Sequence, residues 1–415
     1  MSRIKIRNFG PIKESCQEND GWIDVKKVSV FIGNQGSGKS TVAKLISTFT
    51  WIEKALVRGD YDKKWFERKN RLKNQCLNYH RLENYFKENG IDSTVLEYEG
   101  DAYTMVYKKG SFVINEIVTQ PYQLPQIMYV PSERNFISYV RTPKELKLSS
   151  ESLKEFLTEF DNAKYAMKGT LELPVNNAEI EYDKSKDTVN VKGENYKVKL
   201  AEASSGFQSL VPLYLVSQYL ANSVKEQSDS NKEPMSSEEL QRFKKGVKSI
   251  WDNESLTDEQ KRAALSVLSS KFNKTAFVNI VEEPEQNLFP SSQWNMLSNL
   301  LKYNNINTGN KLILTTHSPY IINYLSIAIQ GKYLENKIKT AGGSKEHLAA
   351  LYRVIPRESL VSAKDVVVFE LDESNGSIKQ LNTVDGIPSD RNYLNQGLSQ
   401  SNDMFDALLK IEQEL

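Results

Sequence analysis

Hydrophobic residues in this chain form strand-like runs at both ends, separated by polar helical and β-rich stretches. Residues 3–9 alternate polar and apolar side chains, and residues 22–32 close on Val28-Ser29-Val30-Phe31-Ile32, so both read as strands. From Thr41-Val42-Ala43-Lys44-Leu45-Ile46 the spacing turns helical and stays helical, though strongly polar, to about Asn89. Residues 95–118 alternate again, with breaks at Glu99-Gly100-Asp101 and Lys108-Lys109-Gly110, which predicts a small antiparallel meander. Ile127-Met128-Tyr129-Val130 is a short strand of buried type, closed by Pro131-Ser132-Glu133-Arg134.

A helical block is expected over 149–168, hairpin strands at 178–183 and 188–200, and a hydrophobic helix at 207–221. Residues 222–237 are polar and poor in apolar positions, which predicts a mobile loop. Ser236 with Glu239, and Thr257 with Gln260, have capping-box spacing and predict two helix starts. Strand-type runs return at 277–281, 311–316 and 366–371, and 403–415 has the spacing of an amphipathic helix. The expected architecture is α/β. Segments 1–50 and 95–134 form the first part of its main body with a β subdomain, and 276–415 form its C-terminal α/β part. Residues 51–94 are a helical insertion and 135–275 a mixed helical and β insertion region.

Composition narrows the class. The 415 residues are 39% hydrophobic and 26% charged with net charge +1, ordinary for a globular protein and not the strong basicity of one that coats nucleic acid. No apolar stretch approaches the ~20 residues of a membrane span. The N-terminus lacks the apolar core of a signal peptide, and Cys16 and Cys76 cannot form a disulfide framework, so a reducing cytoplasm is expected. Neither cysteine has a Cys or His partner at metal spacing. One local exception to neutrality is Arg58 to Lys73, where seven basic residues outnumber three acids and Trp65 and Phe66 interleave. It reads as a solvated helix face with two core aromatics, or as a nucleic-acid patch.

The chemistry lies at strand ends. Gly33-Asn34-Gln35-Gly36-Ser37-Gly38-Lys39-Ser40 matches the phosphate-binding loop G-x-x-x-x-G-K-[ST], between a strand and the helix that Thr41 opens. The glycines allow a tight turn whose N–H groups face phosphates, Lys39 reaches the β and γ phosphates, and the Ser40 hydroxyl serves Mg²⁺. Gly33 through Thr41 are thus the candidate ATP-binding residues. Glu282-Glu283 follow the strand at 277–281 in Walker B fashion, with Glu282 assigned to the metal and Glu283 to the catalytic base; a surface acidic cluster is the plainer reading. His317 follows the strand at 311–316 and is placed for the γ-phosphate or the attacking water. Ser204-Ser205-Gly206 precede the helix at 207–221, an anion site or an ordinary cap.

In this order, the glycine loop, Ser-Ser-Gly, Glu-Glu-Pro and Thr-His-Ser-Pro resemble the P-loop head of an ABC-type ATPase. Ile6 to Ile12 is similar to the first strand of the recombination and chromosome-maintenance branch. Tyr129 to Arg134 and Glu282 to Pro290 resemble the OLD-like ATPases of bacterial anti-phage defence. The resemblance implies a homo-oligomer in which Ser204, Ser205, Gly206 and Gln208 of one copy close over ATP held by another. It also implies a role as a scaffold or sensor controlling a separate effector nuclease of Toprim-like fold, with a phage-encoded trigger. Departures are a leucine replaced by Ala203, Phe207 standing before Gln208, and no aspartate in the loop after Glu283. The glutamine that usually couples Mg²⁺ to the inserted domain is open among Gln120, Gln123 and Gln126. Glu370, Asp372 and Glu373 lack the glycine and later Asp-x-Asp of a Toprim centre, so any nuclease must be another polypeptide. The alternative function is a DNA-repair or chromosome-maintenance ATPase that binds duplex DNA directly through Arg58–Lys73.

Overall fold

A computed structural model describes residues 2–413 apart from 88–92, 118–121, 140–147, 149, 231–236, 254, 258–259, 262–263, 266–267 and 269–273. The described strands of the N-terminal half are β1 (Arg3–Arg7), β2 (Ile23–Asp24), β3 (Val28–Gly33), β4 (Val95–Glu99), β5 (Tyr103–Lys108), β6 (Ser111–Glu116) and β7 (Pro125–Val130). Next come β8 (Thr170–Glu172), β9 (Glu179–Asp183), β10 (Thr188–Lys192) and β11 (Lys197–Lys199). The last of the larger sheets' strands are β12 (Ala276–Glu282), β13 (Lys311–Thr316), β14 (Val366–Asp372) and β15 (Ser377–Gln380). The principal helices are α1 (Lys39–Arg58), α2 (Lys63–Glu67), α3 (Glu151–Ala166), α4 (Ser205–Ser230), α5 (Ser237–Trp251), α6 (Pro290–Asn305), α7 (Pro319–Thr340), α8 (Lys345–Val354) and α9 (Tyr393–Gln413).

The centre is a six-stranded sheet in the order β15-β14-β3-β13-β12-β7, parallel except for β15. Its strands read as nearly unbroken apolar runs because both faces are covered. Val28, Val30, Ile32, Leu312 and Leu314 enter one core with α3, α4, α6 and α7. Phe31, Ile313, Val367 and Phe369, on the alternate positions, enter a second core with α1 and the antiparallel sheet β2-β1-β4-β5-β6. A third sheet, β11-β10-β9-β8, lies in the stretch between β7 and β12.

Parallel strands place all their outgoing loops at one edge, the usual ligand edge of α/β sheets. The loops after β3, β7, β12, β13 and β14 therefore converge although the sequence scatters them from Gly33 to Glu373. This geometry removes two glutamine candidates. Gln123 precedes β7 and lies against Gly309, and Gln126 pairs with Phe277 at the start of β12, so both sit at the opposite edge. Gln120 falls outside the described residues.

Two local expectations change. The expected loop at 222–237 is helical as far as Ser230, because α4 continues to bury Leu220, Ala221 and Val224 while its polar side faces water; 231–236 are outside the described residues. Of the helical stretch expected to Asn89, the described part is one long helix that ends at Gly59 (φ +73°), then the short α2 and turns as far as residue 87. The Thr257–Gln260 box forms, with Thr257 N–H donating to Gln260 Oε1 (2.9 Å) and Gln260 N–H to Thr257 Oγ1 (3.3 Å). The Ser236–Glu239 box involves a residue outside the described ones.

Candidate active site

The loop after β3 turns back onto α1 with Gly33, Gly36 and Gly38 all at positive φ. Two of these positions require glycine for space as well. A Cβ on Gly33 would stand 2.3 Å from the Leu371 carbonyl oxygen, and one on Gly38 would stand 2.9 Å from Ile12 Cγ1. Gly38 caps α1, so the first N–H groups of that helix open toward the loop's concavity. Lys39 is buried, and its ammonium donates to Gly33 O (2.8 Å) and Asn34 O (2.7 Å). Burial pulls its pKa down to about 8, opposed by Glu283, Glu285, Glu373 and Glu282. The Ser37 hydroxyl is buried with no partner among the described residues, a polar atom that a phosphate oxygen would satisfy. Asn34 Nδ2 donates to Glu373 Oε1 (2.8 Å), which ties the loop to the turn after β14.

Across the edge, β12 ends in the two acids. Glu282 is buried, and its carboxylate accepts from Tyr129 Oη (2.6 Å) and Ser132 N–H (3.1 Å), one bond per oxygen. Glu283 takes a left-handed backbone conformation (φ +46°), with its N–H donating to Thr315 O (2.8 Å). Such strain in a side chain other than glycine concentrates at functional sites. The Glu283 carboxylate meets His317 Nε2 at 3.4 Å, and that hydrogen bond lowers its pKa despite partial burial. Burial pushes the pKa of Glu285 up; its Oε1 accepts from Thr316 Oγ1 (2.8 Å) and His317 N–H (2.7 Å), while Oε2 is buried without a partner among the described residues. Glu285 thus holds the backbone that presents His317.

Arg134 links these parts. It is fully buried, with Nη1 donating to Glu282 O (2.7 Å) and Pro131 O (3.3 Å), Nη2 to Glu283 O (2.5 Å) and Nε to Ser209 O (3.1 Å). Burial lowers its pKa to about 10, so it stays a cation at neutral pH. One guanidinium fork thereby joins the loop after β7, the acidic turn after β12 and the first turns of α4.

Ser204 and Ser205 are exposed at the start of α4. They stand beside the loop after β12: a Cβ on Gly206 would come within 3.0 Å of Asn287 O, and Asn287 Nδ2 donates to Ser209 Oγ (2.9 Å). Phe289 in that loop is 75% exposed. Gln208 is buried and its amide donates to Ala201 O and Ala203 O (both 3.0 Å). It therefore shapes its own loop and does not present its side chain to another copy.

The structure thus assembles Lys39, Ser40, Glu282, Glu283 and His317 at one sheet edge and sets Ser204–Gly206 beside it. The sequence marks Tyr129–Arg134 only as a string and does not disclose the roles of Tyr129, Arg134, Glu285 and Glu373. Their only local signal is position at or just after the end of a strand. Glu282, Glu283, Glu285 and Glu373 outnumber Lys39 and Arg134 here, a surplus of carboxylates that fits a divalent cation, and Glu282 and Ser40 would hold it.

Residues 123–322 match the AAA ATPase domain family. Among solved structures, the SMC head domain from Thermotoga maritima is 10% identical, with a TM-score of 0.37 over 92% of this chain and 98% of that one. An Smc head with an extended coiled coil from Pyrococcus furiosus, bound to the C-terminal domain of ScpA, is 9% identical (TM-score 0.32; 98% and 100% covered). A nucleotide-free ATP-binding cassette from an ABC transporter is 11% identical (TM-score 0.29; 93% and 94% covered). No curated protein matches the chain.

Proposed function

We propose that this chain is an ATP-binding and ATP-hydrolysing head that acts as an oligomer with Mg²⁺. The observation that carries this is the convergence of Lys39, Glu282 and the Glu283–His317 pair at one edge, from three neighbouring strands. Gly33–Thr41 bind the phosphates, with Lys39 exchanging its two carbonyl partners for phosphate oxygens. Ser40 and Glu282 hold the metal. Glu283 is ionised at neutral pH, since His317 holds its pKa below the usual value, and so is placed to take a proton from the attacking water. His317 orients that carboxylate and faces the terminal phosphate.

The exposed Ser204 and Ser205, with half-buried Gly206 after them and the exposed Phe289 beside them, support closure of a second copy over the nucleotide. The chain resembles AriA, the ATPase component of the PARIS anti-phage system. On that resemblance we extend the proposal to a scaffold that restrains or releases a separate Toprim-like nuclease in response to a phage-encoded trigger. The stretches 51–94 and 135–275 are then the docking surfaces for such partners. The Glu370-Leu371-Asp372-Glu373 acids support the absence of a second centre in this region. Glu370 accepts from Tyr393 N–H and pairs with Lys379, Asp372 caps a turn, and Glu373 serves the phosphate loop.

Glu283→Gln tests the assignment. Turnover should fall by about 10²–10⁴, the usual contribution of a general base, while Mg·ATP binding survives. Normal hydrolysis by the Gln variant removes Glu283 from the base role. Co-purification with no nuclease under native expression removes the effector reading.

A further inference from the structure

The last helix, α9, starts from a fixed point and then leaves the body. Asn392 caps it, with Oδ1 accepting from the N–H groups of Leu394 and Asn395 (both 3.1 Å). The Tyr393 hydroxyl donates to Asp372 Oδ2 (3.1 Å) at the end of β14. From 401 to 413 every residue is exposed. The seam left in water is apolar: Met404 is 70% exposed, Leu408 63% and Ile411 58%, at the 4-3 spacing of a helix-packing seam, with Phe405 and Leu409 beside them. A helical segment this short is marginal in water unless its apolar face is packed, and such a face marks an interaction site. The charges of α9 narrow the choice of partner. Asp403 and Asp406 flank the seam and Glu412 lies within it, against Lys410 alone. Two α9 helices face to face would set like charges together.

The same chain carries a complementary face. On α7, Tyr320, Ile327 and Leu334 are exposed and recur every seven residues, with Tyr324 and Ile338 half-buried alongside. Met404 and Ile411 on α9 have the same seven-residue separation. Both borders of the α7 stripe are basic around Leu334. Lys337 is exposed on one side. On the other, Lys332 (2.6 Å) and Lys339 (2.7 Å) donate to the buried Glu335 carboxylate, which Arg357 also approaches at 3.7 Å. One carboxylate shared by three cations leaves that border positive. We propose that the α9 seam of one copy docks along the α7 stripe of a second copy, acid borders against basic ones, as a contact separate from closure over nucleotide. Exchanged reciprocally, the two contacts close a pair and leave neither stripe open. This contact does not rest on the ATPase reading above.

The test uses full-length chains without nucleotide or Mg²⁺, so that closure over ATP plays no part. Leu408→Cys and Leu334→Cys change exposed positions, and the native Cys16 and Cys76 are buried. A size-tagged Leu334→Cys chain mixed with a Leu408→Cys chain and a short bismaleimide should give a mixed cross-linked product. Adding Ile411→Asp to the Leu408→Cys chain should cut the yield of that product at least fivefold. Adding Asp403→Lys with Asp406→Lys instead, which reverses the charge of the helix, should cut it at least twofold. A yield that either change leaves unmoved overturns the contact. Leu408→Cys chains that cross-link mainly to one another place α9 against α9 and overturn it as well. Absence of any mixed product also overturns it and leaves the seam to a different polypeptide.

Discussion

Replacing Arg134 should damage the molecule more than any other single change outside the phosphate loop. Arg134→Leu removes side-chain donors from four carbonyls; Pro131 O keeps the backbone N–H of residue 134 at 3.3 Å and Glu283 O keeps that of Gln286 at 3.0 Å, so Glu282 O and Ser209 O bear the chief losses. Removing one partner from a buried charge cluster costs about 3–5 kcal/mol, and here the carboxylates of Glu285, Glu283 and Glu282 lose a counter-charge, so a net loss of about 3–4 kcal/mol is expected. At about 2 °C per kcal/mol for a chain this long, the midpoint of thermal unfolding should drop by about 6–8 °C. Arg134→Lys keeps the charge but cannot span the three segments with one ammonium, so it should recover less than half of that drop. Differential scanning calorimetry of both variants is the assay, with ATP turnover alongside. Turnover should fall further than ATP affinity, because the strained Glu283 backbone loses its clamp while Gly33–Thr41 are untouched. A Leu variant melting within about 1 °C of the parent, the range of a neutral surface change, refutes the clamp.

Other expectations follow from the same geometry. Lys39, with its pKa lowered to about 8, is half protonated at pH 8; a bound triphosphate raises that value, so binding should take up about half a proton at pH 8 and almost none near pH 6.5. Calorimetric titrations in two buffers of different ionisation enthalpy read this directly, and equal heats at pH 8 contradict it. Direct duplex binding through Arg58–Lys73 is disfavoured, since Arg58 lies 3.5 Å from Asp60 and the Arg71 guanidinium covers the Trp65 ring at 4.4 Å. Accordingly, the combined change Lys63→Ala, Lys64→Ala, Arg68→Ala and Lys69→Ala should leave the salt slope of any DNA binding unaltered; a slope shallower by several units would restore the patch reading.

The elements legible in the sequence are those whose signal is local. The phosphate loop, the Glu282-Glu283 pair and His317 were readable because each follows an apolar strand by one or two residues. The meander at 95–118 was readable because period-2 alternation survives in a sheet with one covered face. What was hidden depends on register between distant strands. Tyr129 meets Glu282 only because β7 pairs in parallel with β12, and Asn34 meets Glu373 only because β14 lies beside β3. Arg134 reads as a surface residue by composition; its burial follows from carbonyls that three separate segments turn inward. The polar stretch after Asn222 reads as a loop because composition records what faces water and not the buried stripe that keeps α4 helical to Ser230.

The central claim is a nucleotide site shared between two copies, with Lys39 from one and Ser204–Gly206 from the other. Mixing Lys39→Ala chains with Ser204→Arg chains tests it most directly, each variant being inactive alone. Half of randomly paired dimers are mixed, and each mixed dimer rebuilds one intact site of two, so ATP turnover should recover to roughly a quarter of the wild-type rate. A mixture that stays at the level of the separate variants after subunit exchange contradicts the account.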